Sequence, residues 1–304
     1  MPDKCEMRTT DDGPSGLAGF MSTYIDLGDL RVHAVTGGDG PAVVLLHGFA
    51  QTWHAWRAVM PALAERYRVI VPDLRGVGGS TVTFDGFDKR TMAGDVAGLL
   101  DTLDIPAASV VGHDIGGMVA YAFAKSYPSR ISKLGIAAVL LPEQTWYEFP
   151  LLDPQSPWWF RFHAIPLVSE RLISASLGVY LDWFFDSHDR GENYDASGIG
   201  AADREAYVRA YSAPGALSAA LGWFRAFPQD ITDNQVWLRQ PLDVPYLALA
   251  EPHVLAPMTA QAARISTRHQ VVEIAPSGHW VTQQQPGQVA EALLAFLSGD
   301  SATG

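Results

Sequence analysis

Asp114 stands at the centre of Gly112-His113-Asp114-Ile115-Gly116, where a continuous apolar run, ASVVGHD (108–114), meets a helical stretch over 116–127 that stops at Pro128. Two glycines allow a turn tight enough to lift the central side chain above the edge of a sheet. An aspartate there is already ionised at neutral pH and needs no base to make it a nucleophile. It suits displacement at a saturated carbon, which opens an epoxide or expels a halide and leaves an alkyl ester on Asp114. The same strand–turn–helix pattern also fits an aspartate that merely caps the helix.

Two further segments share this setting. SGHW (277–280) places His279 just past the last strand-like run, where it could activate water against such an ester. HGF (47–49) follows the buried run of PAVVLLHGF (41–49). Either segment alone is weak, since a loop histidine is commonly an ordinary polar surface residue. Asp73 and Arg75 in DLRG are read as structural, with Asp73 satisfying backbone donors in the turn that follows its strand, and His113 as packing beside the Asp114 turn.

The elements that must hold these residues follow from hydrophobic pattern. Residues 22–36 alternate apolar and polar around Gly28-Asp29, which predicts a β-hairpin. Short buried strands are expected at Ala42–Leu46, in RVIVPDL, at 108–114, at 133–141, at 244–250 and at 269–275. Helices are expected at 55–66, 90–103, 116–127, 257–266 and 286–298. Strands alternating with helices mean a mostly parallel sheet covered on both faces. The alternation stops near residue 142 and resumes at VPYLALA (244–250), with an intervening stretch rich in Trp, Phe, Tyr, Ala and Arg. The expected organisation is a flexible N-terminal tail over 1–21, a core over 22–141, a helical cap over 142–228 and a second core part over 229–300.

With HGFAQTWHAW (47–56), VPDLRGVGGS (71–80), GHDIGG (112–117) and SGHW (277–280), the chain resembles the α/β-hydrolase superfamily, in particular its epoxide hydrolase and dehalogenase branch with an aspartate nucleophile. The resemblance implies an α/β-hydrolase fold with a helical cap insertion, and catalysis by Asp114 and His279. It also implies an oxyanion hole made by the backbone N–H groups of Phe49 and Ile115. Relatives orient the histidine with an acid. Here the matching stretch reads Ala250-Glu251-Pro252-His253, which leaves Glu251 as the nearest candidate, and the other usual place shows no acid before Glu143. An epoxide leaves as an alkoxide and wants a proton donor, commonly a cap tyrosine, but Phe224 occupies that position. Trp158, Trp159, His163 and Tyr211 are the remaining candidates for contact with the leaving group. Arginines that fluoroacetate dehalogenases carry after the nucleophile are replaced by Ile115 and Met118, and the Trp that haloalkane dehalogenases favour is Ile115. The resemblance therefore favours an epoxide hydrolase. A dehalogenase using indole N–H donors is the alternative, as is a degenerate hydrolase that binds a ligand or templates a non-hydrolytic step.

Composition sets the outer bounds. The 304 residues include 21 Lys and Arg against 33 Asp and Glu, for a formal charge of −12, and 48% are hydrophobic. Such a chain buries a large core, and its acidic balance disfavours nucleic acid and anionic membranes. Cys5 is the sole cysteine, so no internal disulfide forms. No apolar run reaches the roughly 18 residues a membrane span needs, and the first twenty residues lack a signal-peptide core. A cytoplasmic location is expected. No cofactor or metal is expected either: RGVGGS (75–80) lacks the Lys-Ser/Thr of a phosphate loop, and no His/Cys/carboxylate cluster stands out. The expected partners are water and a bulky apolar or aromatic small molecule, and the reading allows a homodimer.

Overall fold

The computed structural model describes residues 5–6, 16–148, 157–187 and 198–299. Among the described residues nine strands form one sheet: β1 (Cys5–Glu6), β2 (Phe20–Asp26), β3 (Arg31–Gly37), β4 (Ala42–Leu46), β5 (Arg68–Pro72), β6 (Ala108–His113), β7 (Ile131–Ala137), β8 (Leu242–Ala250) and β9 (Ser266–Glu273). Their order is β1-β2-β3-β5-β4-β6-β7-β8-β9. Strands β1, β2, β3 and β5 pair antiparallel in succession, and every pairing from β5 through β9 is parallel.

Period-two alternation explains how the central strands serve two cores at once. In β4, Val44 and Leu46 enter one apolar cluster, and Val43 and Leu45 enter the other; all four are fully buried. The first cluster is closed by α2 (Lys89–Thr102), α3 (Ile115–Ser126) and α10 (Leu255–Ile265), the second by α1 (Met60–Ala64), α11 (Val281–Gln284) and α12 (Pro286–Ser298). Strands buried on both faces read as continuous apolar runs, which is why they were visible in the sequence.

Between β7 and β8 lie α4 (Trp158–His163), α5 (Val168–Ser174), α6 (Leu177–Ser187), α7 (Ala201–Tyr211), α8 (Ala216–Arg225) and α9 (Phe227–Trp237). The expected boundary at 228/229 falls inside α9, because Pro228 at the first turn starts a helix rather than ending one. Most of the tail expected over 1–21 lies outside the described residues; of the described ones, Phe20 and Met21 belong to β2 rather than to a tail, and Cys5–Glu6 pair with Tyr24–Ile25. The helix expected at 55–66 is divided into a 3-10 turn, Trp53–Trp56, and α1, whose start is marked by Pro61. The strand expected to reach 141 ends at Ala137, where Ala138 turns to φ +51°.

A buried ion pair fastens α9 to the core. Lys89 Nζ lies 2.7 Å from Asp230 Oδ2, with both side chains almost completely buried, and it also donates to the Trp223 carbonyl at 2.8 Å. Asp230 accepts the Lys89 backbone N–H at 2.8 Å as well. Removing one partner leaves a buried charge uncompensated, so Asp230→Ala is expected to lower unfolding free energy by about 3–5 kcal/mol. Chemical denaturation would test this, and a loss under about 1 kcal/mol would mean that Lys89 reaches water or another acceptor.

Candidate active site

Three loops at the carboxyl ends of parallel strands converge, the usual place for ligands in such sheets. They follow β4, β6 and β9 and carry Phe49, Asp114 and His279. Asp114 sits between β6 and α3 with φ +52°. That conformation is uncommon outside glycine and costs on the order of 1–3 kcal/mol, so it persists only where its surroundings enforce it. The turn needs Gly112, since a Cβ there would stand 2.0 Å from the Gly116 carbonyl oxygen. It equally needs Gly48, where a Cβ would stand 2.4 Å from Asp114 Oδ1.

The helix-cap reading of Asp114 fails on direction. A capping carboxylate accepts from the second or third N–H of its helix, and Asp114 makes no such side-chain cap bond to α3. Its Oδ1 accepts instead from the Phe49 backbone N–H at 2.8 Å, and the Ile115 N–H also donates to the carboxylate. The backbone donors of the expected oxyanion hole therefore both point at Asp114. His279 Nε2 lies 3.6 Å from Asp114 Oδ2. Burial by itself would raise the Asp114 pKa, but the neighbouring His279 and His113 rings and the Ile115 N–H outweigh it and hold the carboxyl at about 2. The side chain is only 20% exposed yet ionised at any working pH.

Above the carboxylate the lining is aromatic. The Phe49 ring meets Phe224 and His163 at 4.9 Å, Phe184 at 5.1 Å and Tyr211 at 5.8 Å between centroids. Phe224 thus occupies the ceiling without a hydroxyl. His163 is fully buried, and its Nε2 lies 2.5 Å from the Tyr180 hydroxyl. Tyr211, also buried, donates its hydroxyl to the Gln51 carbonyl at 3.1 Å. Burial and the nearby Asp114 charge push the Tyr211 phenol well above its ordinary pKa.

Two sequence candidates are not brought to this centre. Trp158 is 43% exposed and packs on Phe162 and Trp183, because neighbouring helical residues point about 100° apart and α4 turns Trp159 inward instead. Trp159 is half-buried against Phe160 and Phe184, one ring removed from Phe49. Glu251 is buried, but its carboxylate accepts the His253 N–H at 2.8 Å and so serves the turn that leads into α10. Glu143 is engaged by Arg264 and Gln261. Asp73 holds the turns around it, accepting from the Trp53 and Gly79 N–H groups at 2.8 and 2.9 Å and bonding His33 at 2.7 Å. Tyr180, Gln51, Gln283 and Tyr207 carried no signal beforehand; Gln51 lies two residues past Phe49, the only hint its position offers. Among the described residues no group of three or more His, Cys, Asp or Glu could hold a metal ion, and no helix is long and apolar enough to cross a membrane.

The α/β hydrolase fold family matches residues 41–284, which spans the elbow, the aromatic ceiling and His279. The chain belongs to this family. As an α/β hydrolase it is 34% identical over 271 residues to the soluble epoxide hydrolase of Corynebacterium sp. (strain C12), covering 88% of this chain and 94% of that one. The solved ligand-free structure of the epoxide hydrolase CorEH superposes with a TM-score of 0.82 at 31% identity, covering 92% of this chain and 99% of that chain. A fluoroacetate dehalogenase of Burkholderia sp is 29% identical over 292 residues, covering 92% of this chain and 94% of that one. The named relatives thus include both epoxide hydrolases and a dehalogenase.

Proposed function

We propose that this hydrolase opens epoxides through an ester on Asp114. The observation that carries the reading is the Asp114 carboxylate itself: Oδ1 held by the Phe49 N–H at 2.8 Å, and Oδ2, the attacking oxygen, facing His279 at 3.6 Å. Oδ2 attacks an epoxide carbon, the C–O bond breaks, and the alkoxide takes a proton from the ceiling. His163 with Tyr180 is the favoured donor pair, because the Tyr211 hydroxyl proton is committed to the Gln51 carbonyl. His279 then removes a proton from water, whose oxygen adds to the ester carbonyl. The Phe49 and Ile115 N–H groups stabilise the oxyanion, and collapse expels the glycol oxygen, which recovers the proton from His279, while the water's second proton, left on the restored Asp114 carboxyl, is released and replaces the one the ceiling donor gave. Dehalogenation is disfavoured because Ile115 and Met118 are both buried apolar residues and offer no cation to a haloacid carboxylate. The aromatic ceiling suits an apolar or aryl epoxide.

A single turnover in 18O-labelled water, with enzyme in excess over an aryl epoxide, tests the ester directly. The label is expected in Asp114 and not in the first diol formed, since the diol's new oxygen comes from the carboxylate. Label appearing directly in that first diol would sink the covalent route.

A further inference from the structure

Behind His279 runs a buried polar chain that the catalytic scheme does not use. His113 is completely buried, its ring 4.7 Å from the His279 ring, and its Nε2 lies 2.8 Å from the His279 carbonyl oxygen. Its Nδ1 lies 3.1 Å from the Gln51 side-chain amide. That amide meets the Gln283 amide at 2.7 Å, and the Tyr207 hydroxyl lies 3.0 Å from the Gln283 amide. Gln51, Gln283 and Tyr207 are all buried, and Tyr207 sits on α7, among the helices between β7 and β8.

The carbonyl at the end fixes the polarity. A carbonyl oxygen can only accept, so His113 Nε2 carries a proton. Burial, with the His279 charge beside it, holds the ring neutral by lowering its pKa to about 3. Nδ1 is therefore a lone pair. In the structure Gln51 turns Oε1 to that nitrogen and Nε2 to Gln283 Oε1, so the neutral ring requires both amides in the flipped assignment, which gives the otherwise unpartnered Gln283 Nε2 its acceptors in Gln51 and Tyr207. We infer that Gln51, Gln283 and Tyr207 are positioning residues that fix the His113 tautomer and, through it, the backbone that carries His279. This assignment rests on the proposed ester reaction for its kinetic consequence, but the network itself is a property of the resting protein. The ring of His113 faces Asp114, His279 and His47, so any change in its charge is felt at the reacting carboxylate.

The test has two arms. In the resting wild-type protein, 15N NMR of labelled histidine is expected to show His113 neutral and protonated at Nε2 through neutral pH. A ring protonated at Nδ1 would overturn the assignment whether or not any epoxide reacts. In the kinetic arm, Gln51→Met is expected to slow ester breakdown about tenfold to a hundredfold while ester formation changes by no more than about twofold, as suits a sub-ångström shift of the base alone. Equal loss in both steps would mean a merely structural role.

Gln51→Glu supplies the sharper signature. A carboxylate can bond Nδ1 only if that nitrogen is protonated, so both ring nitrogens keep their bonds only in the imidazolium, and the His113 pKa rises. The link to His279 is then complete below the raised pKa and lost as pH rises through it. This variant is expected to show a new basic limb in the breakdown rate that wild type lacks. An unchanged profile would overturn the proposal. Failure of wild type to form any ester, with His113 protonated at Nε2, would instead reject the reaction and leave the network standing.

Discussion

Asp114→Asn is expected to lose epoxide turnover by a factor on the order of 10⁴ to 10⁶, the range seen when the nucleophile of a covalent mechanism is removed. The substitution keeps size and shape, and asparagine tolerates the φ of +52° that the turn imposes. Folding should therefore survive, and the loss can be assigned to chemistry. An amide oxygen still accepts the Phe49 N–H, but it is a poor nucleophile and carries no charge. Intact-protein mass must show that no amide has reverted to acid. Full activity in verified Asn enzyme would remove Asp114 from the mechanism altogether.

The same variant has a signature in stability. Because the folded protein holds Asp114 at about 2, below its ordinary 3.8, ionisation stabilises the fold at pH values above 3.8. That share is lost as pH falls toward the folded pKa. The melting temperatures of wild type and variant should therefore draw closer below about pH 4 and hold a constant gap above it. Rate and stability thus report the same ionised carboxylate by independent routes.

How much of this was legible beforehand depends on the range of the interactions. The elbow was readable because its requirements are local: two glycines, an apolar strand before and a helix after. The oxyanion donors followed from it, since backbone N–H groups are placed by the turn and not by side-chain identity. His279 was readable from chain order alone. The side-chain chain behind it was not, because Gln51 and Gln283 are 232 residues apart and glutamine has no periodicity to betray burial. The ceiling was readable only as composition. Trp158 and Trp159 are adjacent and chemically alike, and only the phase of α4 sends one outward and the other toward Phe184. Glu251 shows the opposite failure: the position suited an orienting acid, but proline and histidine after it make a turn whose N–H claims the carboxylate. The resemblance located the fold and the turn that carries Asp114; geometry was needed to separate ceiling residues from surface ones.

His279→Gln separates the two chemical steps. Ester formation needs only the ionised Asp114 and a proton for the leaving alkoxide, neither of which His279 supplies directly. Ester breakdown needs a base for water, a contribution worth typically 10²- to 10⁴-fold. The variant is therefore expected to form the ester and stall, so that intact mass shows a gain equal to the whole epoxide, since ring opening adds every atom of the substrate. A halogenated substrate would add its mass less HX, which distinguishes the two leaving groups in one experiment. The gain should map to the peptide containing Asp114 and vanish in the Asp114→Asn control. His279 stands 3.6 Å from Asp114 Oδ2, close enough to reach a water that approaches the ester carbonyl. If the variant turned over at the wild-type rate, another group would have to act as base. If it formed no ester across a panel of aryl and alkyl epoxides while wild type made diol, His279 would be needed in the first step too, and the division of labour argued from this geometry would be wrong.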